Sequence, residues 1–257
     1  IKKIEETVGF PLFDRGWKST LTKEGELFYK EIDNLIDHWK SIRAISEEIA
    51  AEQVGEIRIG IIESLAKQLL PQIISWLKTH RPKMNAFFEM GNTQRLTELV
   101  QQNELDVAFV GETDSLSSEL EFKKIAEDEI VFITLKHHEL LNKKTLLLED
   151  ILKFPLLYGD KTCLSHQRFI AALQKDKLFS EQKTHYICSN QLLIPDILTD
   201  NQIGIVPRSI ANNKATNIIT LSITKKDFQL VYGAVTKKKE YNYLKNTIDA
   251  ITELVLH

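Results

Sequence analysis

The amino-acid sequence predicts an α/β protein in which a long helix precedes two sets of alternating strands and helices. The helix is indicated by the stretch from Lys23 to Gln53, which contains no proline and carries apolar residues at heptad spacing. The alternation begins at Gly55, where strand patterns rich in isoleucine and valine are each followed by an amphipathic segment. Such an order is typical of parallel sheets joined by right-handed helical crossovers.

Composition limits the classes of protein that this chain can represent. Of its 257 residues 43% are hydrophobic and 27% are charged, as in globular domains, and the net charge is −3. Any contact with nucleic acid must therefore come from a local basic patch. The two cysteines, Cys163 and Cys188, fit a reducing compartment, and no apolar run approaches the length of a membrane span. We expect a cytoplasmic protein with no membrane partner.

The N-terminal segment reads as the end of a helix followed by a short β excursion. Ile1, Ile4 and Val8 share one helical face, and Gly9 supplies the left-handed stop. Residues 14–21 could form two short strands joined by a turn, after which Thr22 is the predicted N-cap of the long helix. Because the chain begins in the middle of a helix and without methionine, we expect residues upstream.

The long helix carries an apolar seam whose members are spaced alternately by four and three residues. This spacing favours pairing with a second helix, and a core helix packed on its own domain is the alternative. The predicted dimer seam consists of Phe28, Ile32, Leu35, Trp39, Ile42 and Ile49, with the polar Ser46 between the last two.

Beyond Gly55 the sequence predicts two α/β sets. The first set comprises strands at 56–62, 85–90 and 105–110 and helices at 65–80 and 93–102. The second comprises strands at 129–135, 155–158, 184–188, 203–206, 217–223 and 229–236, and helices at 147–153, 165–175 and 192–200. A closing helix is predicted at 241–256.

Several short motifs, taken in order, resemble the LysR family of transcriptional regulators. Ile4-Glu5 and Val8-Gly9 are similar to the end of the family's recognition helix, Leu12-Phe13-x-Arg15 to its wing, and Leu21-Thr22-x-x-Gly25 to the start of its linker helix. Further matches are Gly55-x-Ile57-x-Ile59-Gly60, Leu69-Leu70-Pro71, Gly91-Asn92-Thr93, Glu104-Leu105-Asp106-Val107-Ala108 and Gly204-Ile205-x-Pro207. One departure is residues 199–202, where small residues and glycine are usual in the family.

The resemblance implies the domain organisation. Residues 1–21 would be the C-terminal part of a winged helix-turn-helix, and 22–53 a dimerising linker helix. A sensor like the type-2 periplasmic binding proteins would follow, with lobe I at 54–126 and 234–257 and lobe II at 127–233. The resemblance further implies double-stranded DNA as a partner, a homodimer or homotetramer, and a ligand-responsive regulator rather than an enzyme.

Candidate functional residues fall into two groups. Phosphate contacts are expected from Lys2 and Lys3 at the helix end, and from Arg15 and Lys18 in the wing, although solvated surface charge is the alternative for each. Four hydroxyl side chains, Ser64, Thr93, Thr162 and Ser189, lie near predicted helix N-termini, where free N–H groups suit carboxylates. We expect them to bind a small, anionic effector between the lobes; the alternative is plain N-capping.

Other chemistries find little support in the sequence. Adjacent residues of a strand point to opposite faces, so His137 and His138 are poor joint metal ligands, and no metal or cofactor is predicted. A redox pair of Cys163 and Cys188 is a further hypothesis that the sequence leaves open. A solute-binding protein of the same two-lobed fold is the alternative function, but it would not explain the winged segment or the heptad helix. A small enzyme would need a catalytic constellation, which we do not find.

Overall fold

The computed structural model describes residues 1–14, 20–175, 178, 184–211, 217–223, 228–238 and 243–254. The chain forms two compact units, Ile1–Val54 and Gly55–His257. The predicted phosphate-contacting residues Arg15 and Lys18 lie outside the described residues.

The first unit begins with helix α1 (Lys2–Val8), which ends at Gly9 with a left-handed φ of 85°. The Glu5 carboxylate accepts hydrogen bonds from the backbone N–H groups of Leu12 (2.7 Å) and Phe13 (3.3 Å). Phe13 then forms an antiparallel bridge with Leu21, the last residue of the predicted β excursion. Glu5 therefore ties the end of α1 to the start of the excursion.

Helix α2 (Lys23–Ala50) starts at a tightly packed cap. The Thr22 hydroxyl accepts a hydrogen bond from the Gly25 N–H (2.8 Å) and donates one to the Pro11 carbonyl (2.8 Å). A Cβ atom on Gly25 would lie 2.1 Å from the Leu12 carbonyl oxygen, so only glycine fits at this position. The physical basis of the Leu-Thr-x-x-Gly pattern is thus a helix cap pressed against the preceding backbone.

The second unit is a mixed sheet flanked by helices. Among the described residues its strands run in the order β2-β1-β3-β9-β4-β7-β5-β6. Strand β8 lies outside this series and pairs with residues 132–135 of β4. The strands are β1 (Val54–Ile62), β2 (Lys83–Gly91), β3 (Val107–Gly111), β4 (Leu120–Leu135), β5 (Leu156–Gly159), β6 (His185–Cys188), β7 (Ile203–Pro207), β8 (Ile218–Leu221) and β9 (Gln229–Lys237). The helices are α3 (Glu63–His80), α4 (Thr93–Gln101), α5 (Leu148–Ile151), α6 (Leu164–Lys175), α7 (Ile194–Ile197), α8 (Arg208–Ala211) and α9 (Lys245–Glu253).

Strands β4 and β9 run through both lobes. Residues 120–129 of β4 pair with β9, which also pairs with β3, whereas residues 130–135 pair with β7 and β8. Strands β1 to β3 with α3 and α4 form the first lobe, and β5 to β8 with α6 form the second. The C-terminal helix α9 returns to the first lobe, where Arg81 donates a 3.1 Å hydrogen bond to Thr247.

Three predicted elements differ from the structure. The predicted strand at 129–135 is the second half of β4, whose first half was missed because its charged residues pair with β9. The predicted helix at 192–200 is only a 3₁₀ turn (Gln191–Leu193) followed by α7, because Leu198 already adopts an extended conformation. The closing helix begins at Lys245, because residues 243–244, which were predicted to be helical, form a turn.

A shared hydrophobic core holds the second unit together. Ile57, Ile59 and Ile61 of β1 are fully buried, and so are Phe109 of β3 and Phe132 of β4. Removing such side chains from water contributes about 1.5–3 kcal/mol each. The core therefore fixes the strand ends, from which the loops of the candidate site extend.

Candidate ligand-binding site

A cavity of about 200 Å³ lies between the two lobes at the ends of their strands. It is lined by residues 62–64, 91–93 and 162–165, with Ser189, Gln191, Pro207 and Tyr232. The structure thus brings together all four hydroxyl residues that the sequence indicated: Ser64, Thr93, Thr162 and Ser189. Their role in binding a ligand stays a prediction. We call this space the inter-lobe cavity.

The two hydroxyl residues of the first lobe are held by backbone and side-chain contacts. Ser64 lies in the first turn of α3, is buried, and forms a side-chain hydrogen bond with Tyr232. Thr93, the first residue of α4, accepts a 3.2 Å hydrogen bond from the Gly111 N–H at the end of β3. Each hydroxyl is therefore fixed in position. An accepting hydroxyl such as that of Thr93 keeps its own proton for a ligand.

The two hydroxyl residues of the second lobe differ from one another. The Thr162 N–H (2.8 Å) and hydroxyl (2.6 Å) both donate to the Asp160 carboxylate, forming a tight turn after β5. Ser189 follows β6 and is exposed. Because the Thr162 proton is engaged, this hydroxyl can offer a ligand only its oxygen lone pair.

Two carboxylates, one from each lobe, lie at or near the cavity: Glu63 lines it, and Asp160 acts on Glu63. Burial raises the pKa of Glu63, repulsion from Asp160 raises it further, and the N–H of Gln191 opposes both effects. Burial disfavours the charged form of Asp160, but the hydrogen bonds from Thr162 prevail and lower its pKa. Asp160 is thus the firmly ionised carboxylate, whereas Glu63 carries its charge less favourably.

Cys163 lines the cavity as a thiol. Burial raises its pKa to about 12, and the negative Asp160 and Glu63 add to the shift. Its sulfur donates a weak hydrogen bond to Asp160, and the Cys188 sulfur donates one to the Asn190 carbonyl at 3.1 Å. Both cysteines are free. Because the thiolate is the reactive form, these surroundings disfavour redox chemistry at Cys163.

Two contacts join the lobes beside the cavity. Arg168 of α6 pairs with Glu112, which follows β3, at 3.1 Å. A Cβ atom on Gly111 would lie 2.6 Å from Leu164 of α6, so the glycine lets Leu164 approach the first lobe closely. A cleft of about 680 Å³ opens outside the cavity and shares Thr93 and Thr162 with it.

The other predicted residues belong to the first unit. Lys2 and Lys3 are exposed on α1. In the predicted seam of α2, Leu35, Trp39, Ile42 and Ile49 are exposed, as is usual for a face that a partner covers, whereas Phe28 packs edge-on against Phe10 of its own chain at 6.0 Å. Ile32 is half-buried.

Sequence reasoning missed Glu63, Gln191 and Tyr232. Tyr232 lies one residue before the end of the lobe II that the family resemblance implies (127–233), and this position could have identified it. Glu63 directly follows strand β1, so its place at the carboxyl end of a strand was also readable. Gln191 had no such signal, because its role depends on contacts with Ser165 (3.0 Å) and Glu63 across the fold.

The part of the chain that the structure describes contains no cluster of His, Cys, Asp and Glu side chains suited to a metal ion. None of its helices combines the length and apolarity needed to cross a bilayer.

Comparison with known proteins identifies the family. The LysR substrate binding domain family matches residues 50–254, which is most of the chain, so the chain belongs to the LysR family. The HTH-type transcriptional regulator YtlI of Bacillus subtilis is 24% identical over 256 residues, covering 99% of this chain and 82% of YtlI. The prediction of a LysR-type transcription regulator, rather than an enzyme, is confirmed.

Solved structures confirm the predicted two-lobed α/β fold. A full-length OxyR variant from Pseudomonas aeruginosa superposes with a TM-score of 0.72 at 14% identity, over 99% of this chain and 87% of that one. Full-length CbnR in complex with its target DNA gives a TM-score of 0.69 at 16% identity, over 100% of this chain and 88% of that one.

Proposed function

We propose that a small molecule bound in the inter-lobe cavity controls this regulator. The observation that carries the proposal is the meeting of Ser64, Thr93, Thr162 and Ser189, from four separate segments, at one cavity between the lobes. A ligand that contacts both lobes stabilises the arrangement in which they are closed, and so shifts the population of conformations. We also propose that lobe I comprises residues 54–126 and 234–257 and that lobe II comprises residues 127–233.

The experiment is a thermal-shift screen of metabolites with matched variants. Ser64→Ala and Thr93→Ala remove a hydroxyl from the cavity, whereas Ser75→Ala removes one from the exposed face of α3. Binding to the native state raises the apparent stability by mass action. A compound that shifts the wild type and Ser75→Ala, but neither cavity variant, supports the proposal. A compound that shifts all four proteins equally binds elsewhere and contradicts it.

The exposed seam of α2 supports pairing of two copies. Apolar side chains at positions 35, 39, 42 and 49 repeat at coiled-coil spacing, and Ile36 and Ile45 widen the exposed apolar face. Trp39→Glu should lower the molar mass measured by sedimentation equilibrium towards that of the monomer. Lys30→Glu, on the opposite face of the same helix, should leave it unchanged. If Trp39→Glu remains a dimer, the proposal that two copies pair through this seam is contradicted.

The complete regulator is proposed to bind double-stranded DNA as a homodimer or homotetramer in the cytoplasm. The support is the family membership and the CbnR structure, which contains target DNA. In this chain Lys2, Lys3, Arg15 and Lys18 are proposed to contact phosphates. Replacing one such lysine should weaken binding to all DNA sequences alike. It should also reduce the slope of log affinity against log salt concentration by about one.

A further inference from the structure

The lining of the inter-lobe cavity carries negative charge. Among its described lining residues Glu63 is the single charged side chain, and no lysine, arginine or histidine lines it. Asp160 of the second lobe lies close enough to repel Glu63. A ligand that carried only carboxylates would meet this negative pole with no lining cation to offset it.

These two carboxylates belong to different lobes and repel each other. Glu63 opens α3 in the first lobe and is half-buried, while Asp160 follows β5 in the second lobe. The raised pKa of Glu63 reflects both its burial and this repulsion. A cationic group placed at Glu63 would remove the repulsion and replace it by attraction, and would therefore favour the closed arrangement.

The cavity also offers groups that suit an anion. The first turns of α3, α4 and α6 all border the cavity, and the N-terminus of α3 has no side-chain cap. Helix N-termini carry partial positive charge, and the hydroxyls of Ser64 and Thr93 stand beside two of them. Positive helix ends and a negative side chain thus face one small space.

The volume limits the size of the ligand. About 200 Å³ is below the ~300 Å³ at which pockets for drug-sized ligands begin. A compact molecule with its two charges a few bonds apart fits this space.

Resting on the proposed effector role of this cavity, we infer that its ligand is a small zwitterion of the α-amino acid type. Its ammonium group pairs with Glu63, and its carboxylate lies at the first turns of α3 and α4 beside Ser64 and Thr93. The ammonium contacts Glu63 of the first lobe and lies near Asp160 of the second. It therefore attracts both lobes and couples ligand binding to their closure. The predicted preference for anions then applies to the carboxylate end of the ligand.

The test uses the twenty common amino acids as probes, each compared with the carboxylic acid that lacks its amino group, together with succinate. Binding to the whole chain is measured by thermal shift and then by calorimetry. We expect at least one amino acid to bind, and its des-amino counterpart to bind at least tenfold more weakly. This comparison is made on the wild type, so it does not depend on the folding of any variant.

Two variants test the role of Glu63. Glu63→Gln keeps the size of the side chain but removes its charge, and should weaken amino-acid binding at least tenfold while the affinity for the des-amino acid stays equal or rises. Glu98→Gln, in the outer cleft, is the matched control and should bind as the wild type does. Equal affinities for an amino acid and its des-amino counterpart would overturn the inference, and so would full binding by Glu63→Gln.

The outcomes separate this inference from the proposed function. Suppose that succinate stabilises the wild type but neither Ser64→Ala nor Thr93→Ala, and that no amino acid binds. The cavity is then an effector site, but its ligand is not a zwitterion. If every bound compound shifts the two cavity variants as much as the wild type, the effector role itself fails. Binding of an amino acid that requires Ser64, Thr93 and Glu63 supports both.

Discussion

Replacing Gly25 by alanine should destabilise the start of helix α2, against the ordinary effect of such a change. Alanine in a helix interior is favoured over glycine by about 1 kcal/mol. At residue 25, however, the new Cβ would lie 2.1 Å from the Leu12 carbonyl oxygen. That carbonyl also accepts the Thr22 N–H at 3.0 Å, so the clash cannot be relieved by rotating a side chain.

The size of the effect follows from three contributions. Overpacking costs about 1–3 kcal/mol, and loss of the Thr22 cap adds about 1 kcal/mol. Subtracting the propensity gain of about 1 kcal/mol leaves roughly 1–3 kcal/mol of net destabilisation. At about 1.4 kcal/mol for each factor of ten, the first turn of α2 should open roughly 5 to 150 times more often.

Hydrogen exchange measures this opening directly. The amides of residues 25 and 26 bond to the Thr22 hydroxyl and carbonyl at 2.8 Å, and both should exchange faster in Gly25→Ala by that factor. Asp33→Ala, at an exposed position of the same helix, should leave their exchange unchanged. If Gly25→Ala protects these amides as well as the wild type does, the close packing on Leu12 is not what requires glycine here.

Three further predictions concern the second unit. Ile73→Ala should lower the free energy of unfolding by about 2–5 kcal/mol, because Ile73 is fully buried. Its half-exposed neighbour Ile74 should tolerate alanine within about 0.5 kcal/mol, and equal losses in urea titrations would contradict the assigned face of α3. In a Cys188→Ser background, Cys163 should react with a disulfide reagent at pH 8 roughly a thousandfold more slowly than an ordinary thiol, because its pKa rises from 9.0 to about 12. If Cys163 of the folded protein is labelled as fast as that of the guanidinium-unfolded protein, this prediction is refuted. Burial lowers the pKa of His138, so below its unfolded value of 6.5 the unfolded state takes up a proton that the folded state does not. Stability should therefore fall from about pH 6.5 towards the lower folded pKa, more steeply than in His138→Gln, and parallel pH profiles would count against the prediction.

The sequence predicts those parts of the structure that depend on local pattern. The α/β order, the cap at Thr22 and the hydroxyl residues at strand ends follow from periodicity, turn chemistry and the family resemblance. At residues 199–202, where the family usually has small residues and glycine, Asn201 adopts a left-handed φ of 61°, a conformation that asparagine tolerates better than most residues.

The features that the sequence could not predict depend on distant contacts. The charged first half of β4 becomes a strand only because β9, over a hundred residues later, pairs with Leu120–Glu129. The negative pole of the cavity arises because Asp160 comes near Glu63 from the other lobe. No local signal relates residues so far apart in the chain, since packing of the whole unit decides which of them meet.

The pair of strands that joins the lobes contains an irregularity beside the inter-lobe cavity. Over ten residues β4 and β9 form one ladder, interrupted by a register shift between Lys124 and Ala126. A bulge of this kind increases the local twist and bends its strand. Ala126 is the partner of Tyr232, whose side chain lines the cavity. We therefore expect the lobes to rotate relative to one another at this bulge, beside the inter-lobe cavity.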